Sequence, residues 1–500
     1  MLNRTDHTGF SGRGWLPYHL LDKKLNTPVG WVLLGVAGLF MTYGIVFVDV
    51  TIGLVVVASA AALLILILVL KFPYFGFYFL IAYSSITTTI DRLMPTSLSS
   101  GFFVEIIIYL VFFSVVLRRD LNKNIDRRFW SNAITLGVFV LFGYYLIQLF
   151  NPAMLGTLGW FSFFSRQLSY FVFYYTCYCL LDSRSRIIYF VRFMIGLSTL
   201  LALYACKQQW FGYAGFELRW IGTGGGLALL LQAGMLRKFS VFSDPATSGI
   251  LFASISILSI ILFVRTDQKK ERIWLGTAGV FNLLAYSYSG TRTATLMIVA
   301  GIALYCLSTL YEKRTAFFML VSVLSLVALL FMPYQNAITN RIKSTFQGTK
   351  DESAAVRDFN RHQVQPYIQD HPIGGGLYTC GFEGPKYNQG HYLEFLQPDS
   401  GYMKTVAEQG AVGLALLLIF YFIIMAYGFR RFFRMKDPEI QNYYIALLIM
   451  MFTLMVAQYG QMAITQCPVI LFFHASMIIF IKLADFDKPD QTIPLFTKQN

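Results

Sequence analysis

Apolar runs close to twenty residues long recur along this chain, separated by short basic turns, and that spacing is the pattern of helices that cross a bilayer. About 20 apolar residues are needed to span ~30 Å of hydrocarbon, and a spanning segment must satisfy its own backbone, so each run predicts a transmembrane helix. The runs fall near 30–48, 52–70, 73–91, 101–117, 130–150, 163–181, 187–210, 247–264, 273–289, 293–311, 315–333, 410–428, 441–460 and 465–482. They number about 14 and predict an all-α polytopic integral membrane protein with one large extracytoplasmic loop.

Two polar stretches break the pattern. Over 211–246 the only apolar run, 227–236, is too short to span, so this stretch reads as an outer loop that partly re-enters the membrane. Over 334–409 the chain concentrates ionisable residues that are scarce elsewhere. The predicted organisation is a tail over 1–29, helices over 30–210, the re-entrant loop over 211–246, helices over 247–333, the large loop over 334–409, helices over 410–482 and a tail over 483–500.

Basic residues orient the spans. One side receives Arg13, Lys23 and Lys24, the 118–128 linker, Arg184 and Arg186, the 265–272 turn, Lys313 and Arg314, and the 430–436 turn, and on this placement it collects 25 of the 40 Lys and Arg in all. The positive-inside rule places that side, and with it both termini, in the cytoplasm and puts 334–409 outside. The polar tail precedes a full-length run, which predicts a retained anchor rather than a cleaved signal peptide.

Composition agrees, with 56% hydrophobic and 13% charged residues and a mean hydropathy of +0.57. The net charge of +14 sits largely in short cytoplasmic loops, where topology and anionic headgroups account for it, so no nucleic-acid partner is expected. Of the six cysteines only Cys380 lies in the outer loop, and no His/Cys set has zinc spacing.

Candidate chemistry gathers at a few positions. Arg292, in Ser289-Gly290-Thr291-Arg292, stands where one span ends and the next begins on the outer side. There its planar fork suits an anion at headgroup level, or alternatively snorkels to lipid phosphate. In the large loop, Gly374–Gly376 reads as a turn more readily than as a phosphate-binding nest. His371 either satisfies local backbone or acts in catalysis, and Lys404 and Glu408 form either a solvated face or a pocket flank. The abundant Phe and Tyr read chiefly as lipid-facing and interfacial packing, and the loop aromatics Tyr387, Tyr392 and Tyr402 either join that packing or offer ring faces to a ligand. Asp485-Phe486-Asp487 follows the last span on the cytoplasmic side and reads as a solvated tail.

Several of these segments together resemble the O-antigen ligase and polymerase family. Asp370-His371-Pro372-Ile373-Gly374-Gly375-Gly376 is similar to its His-Pro-x-x-Gly-x-Gly segment, and Ala407-Glu408-Gln409-Gly410-Ala411-Val412-Gly413-Leu414 to its Ala-Glu-x-Gly-x-x-Gly-Leu re-entry. Ser289–Arg292, Phe239–Pro245 and Arg357 fall where the family places a small-residue-Ser-Arg step, a Phe-x-x-Pro loop and a loop arginine, and the resemblance covers about 237–425. One position departs from the pattern: Asp399 stands where ligases of the family carry the histidine of His-Asn-x-Tyr-Leu.

The resemblance implies a GT-C-like membrane glycosyltransferase of the bacterial inner membrane, acting on its outer face without metal or cofactor. Its implied substrate is a polyprenyl-diphosphate-linked oligosaccharide, within membrane lipid, with a chain-length regulator and a flippase as pathway partners. Such a donor needs charge stabilised on a leaving diphosphate, for which Arg292 and Arg357 are the first candidates, with Arg237 and Arg341 behind them. It also needs an acceptor proton removed, for which Asp399, His391 and His371 are candidates. Lys404, Glu408 and Tyr402 complete the expected substrate-binding set. Polymerisation of repeat units is the favoured reading, ligation to lipid A core, protein or another acceptor is the second, and a lipid or saccharide transporter is the alternative of another class, which no internal repeat supports.

Overall fold

The computed structural model describes residues 27–28, 31–32, 35–36, 38, 42, 50–93, 99–118, 127–223, 226–232, 235–331, 342–343, 345 and 352–487. For 50–58, 61, 127–128, 235, 352–357, 359–360 and 363 it describes the backbone alone. Two compact units divide it, Met1–Lys71 and Phe72–Asn500. The first holds helix α1, Val50–Lys71, and of the expected span at 30–48 the described residues are 31–32, 35–36, 38 and 42, which are helical.

The second unit is helical almost throughout. Its long helices are α2 (Pro73–Leu93), α3 (Gly101–Val116), α4 (Ala133–Ile147), α5 (Thr157–Leu180), α6 (Arg184–Trp210), α7 (Pro245–Arg265) and α8 (Lys269–Ser289). After these come α9 (Arg292–Thr309), α10 (Lys313–Phe331), α11 (Glu352–Asp370), α12 (Gly401–Phe432), α13 (Pro438–Ala457) and α14 (Val469–Leu483). Among the described residues, eight helices are long and apolar enough to cross a membrane: those built on α4, α6, α7, α9, α10, α12, α13 and α14. The expected spans at 73–91, 101–117, 163–181 and 273–289 do form helices, α2, α3, α5 and α8, but these fall short in apolarity or in length.

At the centre lies α7, packed on α8, α9 and α13 and mostly buried. Its serines suit that position, because Ser254, Ser256 and Ser259 return their hydroxyls to carbonyls three or four residues back and leave no orphan donor in an apolar surround. Between α6 and α8, Ser198 donates to Asn282 Oδ1 at 2.6 Å, a polar tie of the kind that holds helices in lipid. At the end rich in basic turns, Arg265 joins Asn442 and Glu312, and Arg192 and Tyr443 share Glu271. Asp487 is no free tail residue: its carboxylate accepts the Lys436 and Asp437 amides.

Both polar stretches carry ordered structure. The described residues of 215–236 form two short helices, Gly215–Thr223 and Gly226–Leu230, and a two-residue antiparallel strand pair in which Leu231 pairs with Leu236. They close over a cluster of Ile221, Leu230 and Phe239. Arg92, at the end of α2, lies 4.0 Å from the Trp220 ring and 4.4 Å from Phe239, and donates to the carbonyls of Phe242 and Ser243. The expected 211–246 loop is therefore a folded cap.

In the large loop, the membrane re-entry expected at 410 begins earlier, because α12 starts at Gly401 with Ser400 as its N-cap. This helix breaks at Gly410, whose φ of 71° and ψ of −173° leave the helical region. The break frees carbonyls, and the glycine run of the loop takes them: Gly375 N–H donates to Ala407 O at 2.9 Å and Gly376 N–H to Glu408 O at 2.8 Å. In return Val412 N–H donates to Pro372 O. These amides are committed to α12, so Gly374–Gly376 is a docking turn rather than an anion nest. From α4 and the turn after it, Tyr144 donates to Gln409 O, Gln148 to Ile373 O and Asn151 to Gly374 O.

A side chain has no room at this crossing. A Cβ on Gly410 would fall 2.0 Å from Pro372 O, and one on Gly374, at φ 80°, 2.4 Å from Gly410 N. Left-handed backbone alone costs a non-glycine residue roughly 1–2 kcal/mol, and the steric overlap adds to it. Gly410→Ala and Gly374→Ala are each expected to lower the monodisperse yield and melting temperature of purified protein. Gly143→Ala, in a helix where a Cβ meets nothing within 4 Å, is expected to be neutral or stabilising by about 1 kcal/mol.

Candidate active site

Where the docked loop meets the bundle, α4, α5, α12 and α14 enclose a cavity of about 340 Å3 together with residues 378–383, 397–398 and 458–466. That volume is within the roughly 300–1,000 Å3 range of small-molecule sites. Its walls between the helices are apolar and aromatic, from Leu141, Phe142, Phe163, Phe171, Leu417, Phe420, Phe473 and Met477. Toward the loop it is polar, with Arg166, Glu383, Lys404, Glu408, Gln397, Gln458 and Gln466.

The charges there are paired. Lys404 Nζ lies 3.3 Å from Glu383 Oε2 and 3.8 Å from Glu408 Oε1, and Arg166 Nε lies 3.4 Å from Glu105 Oε1. Glu408 is only 1% exposed and accepts the Cys380 thiol proton at 3.3 Å, so its carboxylate is fixed from two directions. Burial pushes the Cys380 thiol well above its ordinary range, which keeps it a donor. Between the two cations sits the Tyr378 ring, 5.9 Å from the Arg166 guanidinium and 5.2 Å from Lys404 Nζ. Burial pushes the Tyr378 phenol up to about 12, opposed by Arg166, so it stays protonated.

The expected site residues divide into three groups. Lys404 and Glu408 line the cavity and are no solvated face. Tyr402 instead donates to Met455 O at 2.7 Å and ties α12 to α13. Asp399 is exposed and lines a small crevice with Arg361 rather than the cavity itself, although Gln397 and Pro398 line both, and Ser400 takes the capping position next to it.

His371 and His391 sit in a ring cluster about Tyr367, which stacks on His371 at 4.0 Å and on Tyr392 at 5.0 Å. The His371 Nδ1 donates to Tyr367 O. At His391 the Leu393 amide donates to Nδ1 at 3.0 Å, which assigns the ring proton to Nε2, 3.4 Å from the Tyr367 hydroxyl. Burial lowers the His391 pKa, so the ring is held neutral with its lone pair already occupied.

The arginines form a second locus. Gly290, at φ 61°, ends α8 and Arg292 begins α9. Arg237 reaches this corner and donates to Ser289 O, to Thr291 Oγ1 and to Gln232. Thr291 donates on to Pro245 O, and Thr247 of the same α7 N-terminus, capped by Asp244, donates to Gln466 of the cavity wall. A continuous bonded path thus joins the arginine corner to the cavity. The Arg357 backbone lies in α11, and Arg341 and the Arg357 side chain lie outside the described residues.

Motif reading passes over Arg166, Glu383 and Gln466. Arg166 carried a usable signal, since an ionisable residue in a membrane run is by default a functional candidate. Glu383 stood only among the ionisable residues of 334–409 and in no motif, and Gln466 carried no signal, because only the fold brings their loops together.

Fold and cavity define the class, a multi-pass helical membrane protein with an amphipathic ligand-sized site at the end of its bundle. Residues 277–418, somewhat over a quarter of the chain, match the family model described as O-antigen ligase. The match covers Arg292, Arg357, His371, Glu383, His391, Asp399, Lys404 and Glu408, and leaves out Arg166 and Arg237. No curated protein matches the chain.

The neutral, buried His391 generates a test. An unfolded imidazole titrates near 6.5, and a folded ring with a lowered pKa binds protons less readily. Above about pH 6.5 the ring is neutral in both states; below it the unfolded state takes up more protons, so stability falls as the pH falls. Melting temperature measured from pH 7.5 to 5 is expected to decline in the lower half of that range, and His391→Gln is expected to flatten the decline.

Proposed function

We propose that this protein is a membrane glycosyltransferase that transfers a saccharide from a polyprenyl-diphosphate donor on the outer face of the bacterial inner membrane. The observation that carries the reading is the amphipathic cavity, bordered by the matched domain. Its apolar walls between α4, α5, α12 and α14 suit a polyprenyl chain, and its polar end suits the saccharide. The donor is already activated by its diphosphate, so transfer requires charge stabilisation on the leaving group and removal of an acceptor proton. Arg292 and Arg357 take the first task, and Arg237 holds the corner that aims Arg292.

Within this class we favour polymerisation of oligosaccharide repeat units into surface polysaccharide. Ligation of a lipid-linked glycan to another acceptor is the second reading, favoured by the family that the domain matches. Both termini lie in the cytoplasm in this reading, and metal takes no part in the reaction.

Two experiments test it. Cysteine at Gln389, an exposed loop position, is expected to react with a membrane-impermeant thiol reagent on cells with a permeabilised outer barrier, whereas cysteine at Gln268 is expected to be protected; the reverse pattern removes the external site. In the second, Arg292→Ala and Arg292→Lys are each expected to slow polymer formation on the order of 10²–10³-fold, the scale of one lost donor to developing charge. Lysine does not reproduce the paired geometry of a guanidinium. Normal polysaccharide length and amount with Arg292→Lys, at unchanged protein level, would make Arg292 a lipid anchor.

A further inference from the structure

We infer that Glu383 is the base that takes the proton of the acceptor hydroxyl, and that Phe382 beside it is the platform on which the acceptor sugar ring lies. The inference rests on the lipid-donor reading and names the acceptor half of the same site. The other candidates for proton transfer are less well placed: none of Asp399, His371 and His391 lines the cavity, and His391 also has its Nδ1 lone pair occupied by the Leu393 amide.

Two carboxylates line the polar end of the cavity, Glu383 and Glu408. Glu408 is 1% exposed and held by both Cys380 and Lys404, so it has no freedom to meet a substrate hydroxyl. The Glu383 side chain is 28% exposed at the rim and is held from one side by Lys404. One ammonium faces two carboxylates, so with all three ionised the cluster keeps an excess negative charge, the condition for accepting a proton rather than for binding a free anion. Lys404 is then a positioning residue for Glu383.

Phe382 lines the same cavity and is 86% exposed. It stands on a short 3-10 turn, Gly381–Glu383, that the Gly381 amide fastens to Leu396 O at 2.8 Å. A large aromatic ring held in the open next to a carboxylate at a cavity rim is the combination that recognises a sugar, the ring taking its C–H face and the carboxylate its hydroxyls. In the step itself the acceptor O–H bond breaks and its proton passes to Glu383. The acceptor oxygen bonds the anomeric carbon, and the bond from that carbon to the diphosphate breaks with its electron pair leaving on the polyprenyl diphosphate.

The test uses the full-length protein in vesicles of bacterial polar lipid, supplied with the lipid-linked saccharide extracted from host cells that lack this gene. Release of polyprenyl diphosphate is followed against donor concentration, and donor-induced thermal stabilisation reports binding. Glu383→Gln is expected to lower kcat by roughly 10²–10⁴-fold, the range for a lost general base, with donor stabilisation kept and Glu383→Asp partly active. Phe382→Ala is expected to raise KM more than it lowers kcat, and Phe382→Tyr to behave as wild type. Near-normal turnover by Glu383→Gln overturns the inference and leaves the lipid-donor reading standing, and loss of donor stabilisation in that variant also overturns it. Wild-type protein that releases no polyprenyl diphosphate overturns the reading itself.

Discussion

Pro372–Gly376 and the broken helix around Gly410 exchange backbone hydrogen bonds, and the site depends on that exchange. A helix interrupted beside hydrocarbon exposes carbonyls and amides that cost several kcal/mol each when left unpaired. Here the Gly375 and Gly376 amides and the Pro372 carbonyl take those places, and side chains from Tyr144 to Asn151 bond the adjoining carbonyls. The break and the docked loop therefore require each other. Only glycine at 374 and 410 permits the approach, because backbone meets backbone at the distance where a side chain would stand.

Docking determines the chemistry of the cavity. It sets the first turns of α12, with Lys404 and Glu408, beside the 378–383 segment, which contributes Tyr378, Cys380 and Glu383. Lys404, Glu383, Glu408 and Cys380 each meet a partner of opposite charge or a hydrogen bond there, as a low-dielectric site demands. A site whose cations are already matched by carboxylates favours hydroxyl-rich ligands over simple anions. The arginine corner at Ser289–Arg292 is built separately, and its bonded connection through Pro245, Thr247 and Gln466 gives the two loci one framework.

Much of this was legible along the chain, for identifiable reasons. The positions of the helices followed from the length of apolar runs, since hydrocarbon thickness and backbone satisfaction leave few alternatives. Gly374–Gly376 was readable as a turn, and Lys404 and Glu408 as a pocket flank, because glycine and paired charges at a membrane entry have few uses. The capping role of Asp244-Pro245 and the corner at Gly290 lie within motifs the chain displays. Asp399 and His391 were less legible. The first lines the neighbouring crevice rather than the cavity, and the second is kept neutral by burial with its Nδ1 lone pair held by an amide two residues away.

By itself, then, the sequence determined the solvent this protein lives in, the order of its helices, and the segments where polar chemistry concentrates, because those depend on local composition and period. Only the tertiary structure decided which ionisable groups meet. Glu383 and Lys404 are 21 residues apart, Arg166 approaches Tyr378 from another helix, and Gln466 arrives from a loop near the end of the chain. Such meetings depend on how the helices pack and where α12 breaks, and pairing across those distances leaves no periodic signal in the chain.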